Sequence, residues 1–267
     1  MIKWTDALAE FVGFFGSFFA TGAIGFRLTV INRVIEEQAF HRSVTVRAAT
    51  IGLIGAAVNA AFYFTGGRLN TPSNVLYIAA IVGFVLVLAR VSFGWWIAIA
   101  GVIFAPLAPA IIAGRWSRLG NPIHRLAAGF WIGTLFAVIV AGVAPLLRSA
   151  LTTERRGALA AAMINAFSPL ALGSFFVLAV AGVVIAWQHL KRVDALWTTP
   201  YGYALIVKLF FVLGVVALGG WNWRRQRPLL GTERAAVAIR RSASAELLVA
   251  VAVLVATAIL VSLPAPK

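Results

Sequence analysis

Cysteine is absent from the 267 residues, and methionine occurs only at Met1 and Met163. The first absence excludes disulfides, thiolate metal sites and redox thiols. The second leaves almost no thioether for a soft cation such as copper(I). Charge is scarce as well: Asp, Glu, Lys and Arg make up 12% of the chain, about half the share usual in soluble domains. Acidic groups are scarcest, with 8 Asp and Glu against 23 Lys and Arg and a net charge of +15. Neither GxxxxGKS/T nor GxGxxG occurs, so no phosphate-cradling loop of the common nucleotide-binding kinds is present. The loops between apolar runs are too short to hold a soluble domain.

What remains is apolar. Hydrophobic residues make up 61% of the chain and mean hydropathy is +0.94, which defines an all-α, polytopic transmembrane helical bundle. A span needs about 20 apolar residues at 1.5 Å each. The candidates are 10–31, 44–65, 74–89, 93–113, 124–146, 167–189, 201–222 and 244–263. Between the third and fourth stands only Arg90-Val91-Ser92-Phe93-Gly94, so 74–113 also reads as one span plus a re-entrant piece, giving seven.

The basic residues lie in the short loops, where a positive-inside bias explains them without nucleic acid as a partner. The Lys/Arg asymmetry is stronger for eight spans than for seven, so we expect about eight, with both termini outside. The densest inner loop then runs from Arg224-Arg225-Gln226-Arg227 to Arg240-Arg241. Asp6 and Glu10 within the N-terminal apolar stretch argue for a retained first span rather than a cleaved leader. Gly13 and Ser17, and then Gly129, Gly133, Ala137 and Ala141, recur at four-residue spacing and read as faces where helices pack closely. Trp95, Trp96, Trp197, Trp221 and Trp223 fall near span ends, as interfacial belts require.

Lys208 lies inside the seventh span, where a cation costs about 3 kcal/mol or more at the centre of a helix. Either its stem snorkels to the surface or a carboxylate meets it. By depth Glu10 is the best-placed partner, whereas Glu246 lies toward the inner end of the last span. His124 and His189 fall near the outer ends of consecutive spans; His41 sits in the first inner loop. Two converging imidazoles could hold Cu, Zn or haem iron, and the alternative is two interfacial histidines that never meet. Asp194 and Tyr201 are further candidates at the same face. Trp131 lies about two turns deeper than His124, placed either to wall a cavity or to face lipid. Asn59 and Asn165 read as interhelical hydrogen-bonding groups.

Five stretches carry a family likeness: NPIHRLAAGFWIG (121–133), AFSPLALGSFFVLAVAGVVIAW (166–187), TPYGYALIVKL (199–209), LGGWNWRR (218–225) and RRSASAELLVAVAVL (240–254). Together and in this order they resemble the copper resistance D family of bacterial inner-membrane proteins. His124, Trp131, Tyr201, Lys208 and Asn222 match its pattern. The resemblance divides the chain into a four-span half without a recognised motif, 1–120, and a copper resistance D-like half, 121–267. It implies a multi-pass inner-membrane protein that binds copper at the periplasmic face and imports or transfers it, beside a periplasmic copper-binding protein. On that reading His124 and His189 are the metal ligands, with Lys208 and Glu10 as a charge pair below them. The alternatives are a membrane haem or quinol-linked oxidoreductase subunit, with haem as cofactor, and a structural subunit without a metal site.

Overall fold

A computed structural model describes residues 4–35, 38–65, 71–226 and 231–263, and their regular structure is entirely helical. Seven helices are long and apolar enough to cross a membrane: α1 (Trp4–Val34), α2 (Phe40–Thr65), α4 (Gly94–Ile112), α5 (Trp116–Leu146), α6 (Thr153–Leu190), α7 (Pro200–Arg224) and α8 (Glu233–Ser262). The eighth, α3 (Thr71–Leu88), has 18 residues, which is about 27 Å of helix. It packs lengthwise against α4, so 74–113 is a helical hairpin and not a re-entrant piece. The turn is tight because Arg90 takes a left-handed φ of 67° and Val91 N–H closes back on Leu86 O at 2.8 Å.

Three helices start well before the apolar stretch that marks them. α6 begins at Thr153 and not near 167, and α8 at Glu233 and not near 244. The added segments, TERRGALAAAMINA and ERAAVAIRRSA, are rich in alanine and arginine, which favour helix without favouring lipid. Each is opened by a threonine cap: Thr152 Oγ1 accepts from Arg155 N–H at 3.3 Å and Thr232 Oγ1 from Ala235 N–H at 3.2 Å. Glu154 and Glu233 in the first turns complement the helix dipole. α1 likewise begins at Trp4, ahead of residue 10.

α1 is the hub. It packs against α2, α5, α8 and α4, and Ala23, Ile24 and Phe26 in it are fully buried. At its crossing with α5 the two backbones come into direct contact: Gly22 lies on Gly133, Gly129 on Thr21 and Gly25 on Thr134. A β-carbon on Gly22 or Gly133 would overlap the backbone of the other helix. The crossing runs through a π-helical turn of α5 at Gly129–Gly133, and further π-helical turns follow at Val138–Val143 of α5 and Arg27–Ile31 of α1. A π-turn inserts a residue into the helical count, so the 3.6-residue spacing does not carry through α5 unbroken.

Gly133→Val should therefore destabilise the protein by about 3 kcal/mol or more, because backbone cannot move aside as a side chain can. Gly173→Ala, at a helical position with open space around it, should be neutral or stabilising. Detergent-unfolding curves of the two variants check this, and equal stabilities would show that the crossing is not tightly packed.

Candidate functional site

The Thr199-Pro200-Tyr201-Gly202 stretch is a helix start in which each residue has its own task. Thr199 Oγ1 accepts from Gly202 N–H at 3.0 Å, and Pro200 occupies the first helical position, where a missing N–H costs nothing. Gly202 lies against the carbonyls of Ala195 and Leu196, where no β-carbon fits. Tyr201, thus fixed and buried, stacks on His189 with ring centroids 5.7 Å apart and planes 7° from parallel.

Opposite α7, one face of α6 carries Phe175, Leu178, Gly182, Ile185 and His189, spaced by three and four residues as a single helical face requires. α5 lays two of its residues along this face. Trp131 packs edge-on against Phe175 at 5.2 Å. His124 Nδ1 bonds the carbonyl of Leu178 at 3.0 Å, and its ring lies against Gly182. His189 Nδ1 bonds Ile185 O, 2.8 Å away in its own helix. A carbonyl only accepts, so in both rings Nδ1 carries the hydrogen and the Nε2 lone pair is left for another partner.

The residues of α7 fall at matching levels. Tyr201, Leu205 and Lys208 share a face, and Lys208 is seven residues, about 10 Å, beyond Tyr201. On α6, Gly182 is likewise seven residues from His189, in the antiparallel sense. Lys208 thus comes level with His124, near enough for its charge to act on that ring. The groove has two levels, His189 with Tyr201 and then His124 with Lys208, with Trp131 beneath. At the His189 end Tyr201, Leu205 and Leu260 pack with Ala186, Leu190 and Ala204 into a small apolar cluster. Beyond it α6 and α7 scarcely touch along their length and are joined mainly through α8.

Other expected site residues lie elsewhere. Lys208 makes no ion pair with Glu10 or with any other carboxylate among the described residues. α7 is held by α8 and not by α1, the helix that carries Glu10, so the expected pair does not form and His124 is the group beside Lys208. Asp194 is engaged by the exposed Arg192, through Nε at 3.0 Å and through Nη2, and the bond to Arg192 holds its carboxyl below the usual range. Asn222 lies fourteen residues past Lys208 and donates to Glu246 Oε2 at 3.3 Å. Glu246 is 4% exposed and faces Gly219, so this pair belongs to the far end of the α7–α8 interface. Met163 is fully buried against Gly142, away from the groove. No group of three or more His, Asp or Glu side chains converges among the described residues, and nothing in the arrangement supports haem.

Arg125 escaped the sequence reading. Beside His124 but turned to the other side of α5, it donates through Nη1 to Tyr63 Oη at 2.9 Å and through Nη2 to Asn59 Oδ1 at 3.2 Å and to Gly13 O. Its guanidinium lies over the rings of Phe14, Tyr63 and Phe62 at 4.9, 5.6 and 6.0 Å. Neutral acceptors and ring faces from α1 and α2 thus enclose a cation from α5. Asn59 was the available signal, since a polar residue within a span needs a partner.

Helices of this length and hydropathy, with ionisable groups turned inward, define a multi-pass membrane protein. Residues 161–260, which carry most of α6, all of α7 and most of α8, match the family described as copper resistance protein D. Over 183 residues the chain is 27% identical to copper transport protein CutJ of Bacillus subtilis (strain 168), a match covering 66% of this chain and 32% of that protein. The chain thus spans about a third of the length of this curated relative. No solved structure matches it.

Arg125→Leu should cost about 2 kcal/mol, the worth of a charged hydrogen bond and its ring contacts. Combined with Asn59→Leu the loss should be less than additive, because the two changes remove one shared contact. Detergent unfolding of both single variants and the double variant measures the coupling. Strict additivity would mean that Arg125 does not tie the two halves together through Asn59.

Proposed function

We propose that this chain handles copper in a bacterial inner membrane, binding the ion at the periplasmic face and importing it or passing it on. The observation that favours this reading is the pair of imidazoles along one face of α6, His189 of α6 itself and His124 of α5, each with Nδ1 tied to a backbone carbonyl. Metal-binding histidines are commonly oriented by such a bond, which leaves Nε2 as the ligand atom. His189 and Tyr201 form the outer station and His124 the inner one, about two helical turns deeper. The copper ion is cargo here, met by one imidazole at each level. Imidazole and phenol suit copper(II) or another borderline cation better than copper(I), for which the chain offers neither thiol nor a thioether in the groove.

Lys208 gives the inner station its control. Its ammonium opposes a second positive charge beside His124, so occupation of His124 favours loss of the lysine proton or a swing of its stem toward the surface. The apolar cluster around Tyr201 and Leu205 separates the two stations and acts as the barrier between them. The relative's name, copper transport protein, agrees with movement of the ion rather than permanent storage. A periplasmic copper-binding protein that delivers to His189 completes the scheme, and the lipid bilayer is the other partner.

Copper(II) titration of the purified protein in lipid nanodiscs, followed by calorimetry and electron paramagnetic resonance, tests the assignment. His124→Ala should weaken binding about tenfold or more and remove nitrogen coupling from the spectrum. Lys208→Gln should instead bind copper more tightly. If both variants kept the stoichiometry, affinity and spectrum of the unaltered protein, the groove would not be the copper site.

A further inference from the structure

At the end of the bundle opposite His189, the start of α2 and the end of α5 enclose a cavity of about 370 Å³ lined by Phe40, Ser43, Arg47, Val140, Ala144, Pro145, Arg148 and Ser149. Its chemistry is divided. Arg47 of α2 and Arg148 of the turn after α5 lie about a hundred residues apart in the chain and bring two guanidinium groups to one opening. Neither is bonded to a carboxylate among the described residues; Arg47 reaches only Ser43 Oγ, at 3.5 Å. Ser149 Oγ donates to Leu146 O at 2.7 Å. The other wall is apolar, and it leads from Pro145 and Ala144 to Val140, which is exposed on the flank of the bundle.

The floor of the cavity is braced. Arg156 Nη1 donates to Ser149 O at 3.1 Å and to Leu151 O at 2.9 Å, while its Nη2 pairs with Glu233 of α8 at 2.8 Å. The loop that presents Arg148 and Ser149 is therefore tied to a second helix. By contrast, the arginines of the cavity itself are left without an acidic partner.

We propose that this cavity is a binding site for a phosphate-bearing anion, with Arg47 and Arg148 gripping the phosphate oxygens. Guanidinium is the side chain best matched to phosphate, through paired N–H donors in one plane. A polar mouth above an apolar wall open to the flank fits an anionic phospholipid, its headgroup at the arginines and an acyl chain along Val140. The basic loops place this end at the cytoplasmic leaflet, where anionic lipids attract arginine. A free phosphate would use the same donors without the wall.

The test is native mass spectrometry and thermal unfolding of the whole protein in nanodiscs. Three conditions are compared: phosphatidylcholine alone, phosphatidylcholine with phosphatidylglycerol, and phosphatidylcholine with added inorganic phosphate. The variants are Arg47→Gln with Arg148→Gln, the same pair changed to Lys, and, as a charge-matched control, Arg234→Gln with Arg241→Gln. Retention of phosphatidylglycerol should fall roughly thirtyfold in the first double variant, about fivefold for each surface arginine removed. It should be largely kept in the lysine pair and in the control. A response to inorganic phosphate that is lost in the same variant would keep the site and make free phosphate its ligand. If the glutamine variant and the control lost lipid equally, or if neither anion distinguished the glutamine variant from the unaltered protein, the site would be refuted.

Discussion

The contact of backbone with backbone where α1 crosses α5 is the constraint on which the rest of the bundle depends. In lipid there is no hydrophobic gain from hiding one apolar helix against another, so helices associate by close packing and by satisfying polar groups. Gly22 and Gly133 let the two helices approach to contact distance, and Gly25 with Thr134 and Gly129 with Thr21 extend the match along the crossing. α1 belongs to the half without a recognised motif and α5 to the half that resembles the copper resistance D proteins. Their crossing, reinforced by Arg125 at one end, fixes the platform from which His124 and Trp131 reach the face of α6.

Two kinds of polar residue inhabit this bundle, and their surroundings separate them. Arg125 is enclosed by neutral acceptors and ring faces from two other helices, so its charge is absorbed into the architecture. Lys208 and His124 come level at a groove in which no carboxylate among the described residues pairs with the lysine. The imidazoles are each committed through one nitrogen and left open through the other. Arg125 spends both of its Nη groups on protein acceptors, whereas each imidazole of the groove keeps one nitrogen in reserve.

Much of this was legible in the chain. All eight helices were marked by their hydropathy, because length and apolarity are what a bilayer demands of a span. The helix starts at Thr153 and Glu233 were not, since alanine and arginine extend a helix into water without any hydropathic trace. Thr199 to Gly202 stood out as a motif, and its parts prove to be a cap, a first-turn proline, a stacking ring and a close contact. The pairing of Lys208 with Glu10 failed because depth along the membrane normal is readable from sequence but neighbourhood around the bundle is not: α8, and not α1, is what α7 packs on. Asn222 was grouped with the site residues by motif alone, while the helical rise carries it to the opposite end beside Glu246. Arg125 was overlooked because a charge near a predicted span end looks like an interfacial one until the helix it faces is known.

Below their shared apolar cluster α6 and α7 part, and among the described residues no helix closes the side of the groove between them. In a membrane that side is closed by hydrocarbon, so acyl chains form one wall of the cleft that holds His124 and Lys208. The polarity felt by those two groups is then partly a property of the surrounding lipid, set by its chain length, order and water content. The same polypeptide would accordingly carry a different electrostatic balance in a thin, fluid membrane, in a thick, ordered one and in a detergent micelle. Its behaviour as a site belongs jointly to the protein and to its solvent.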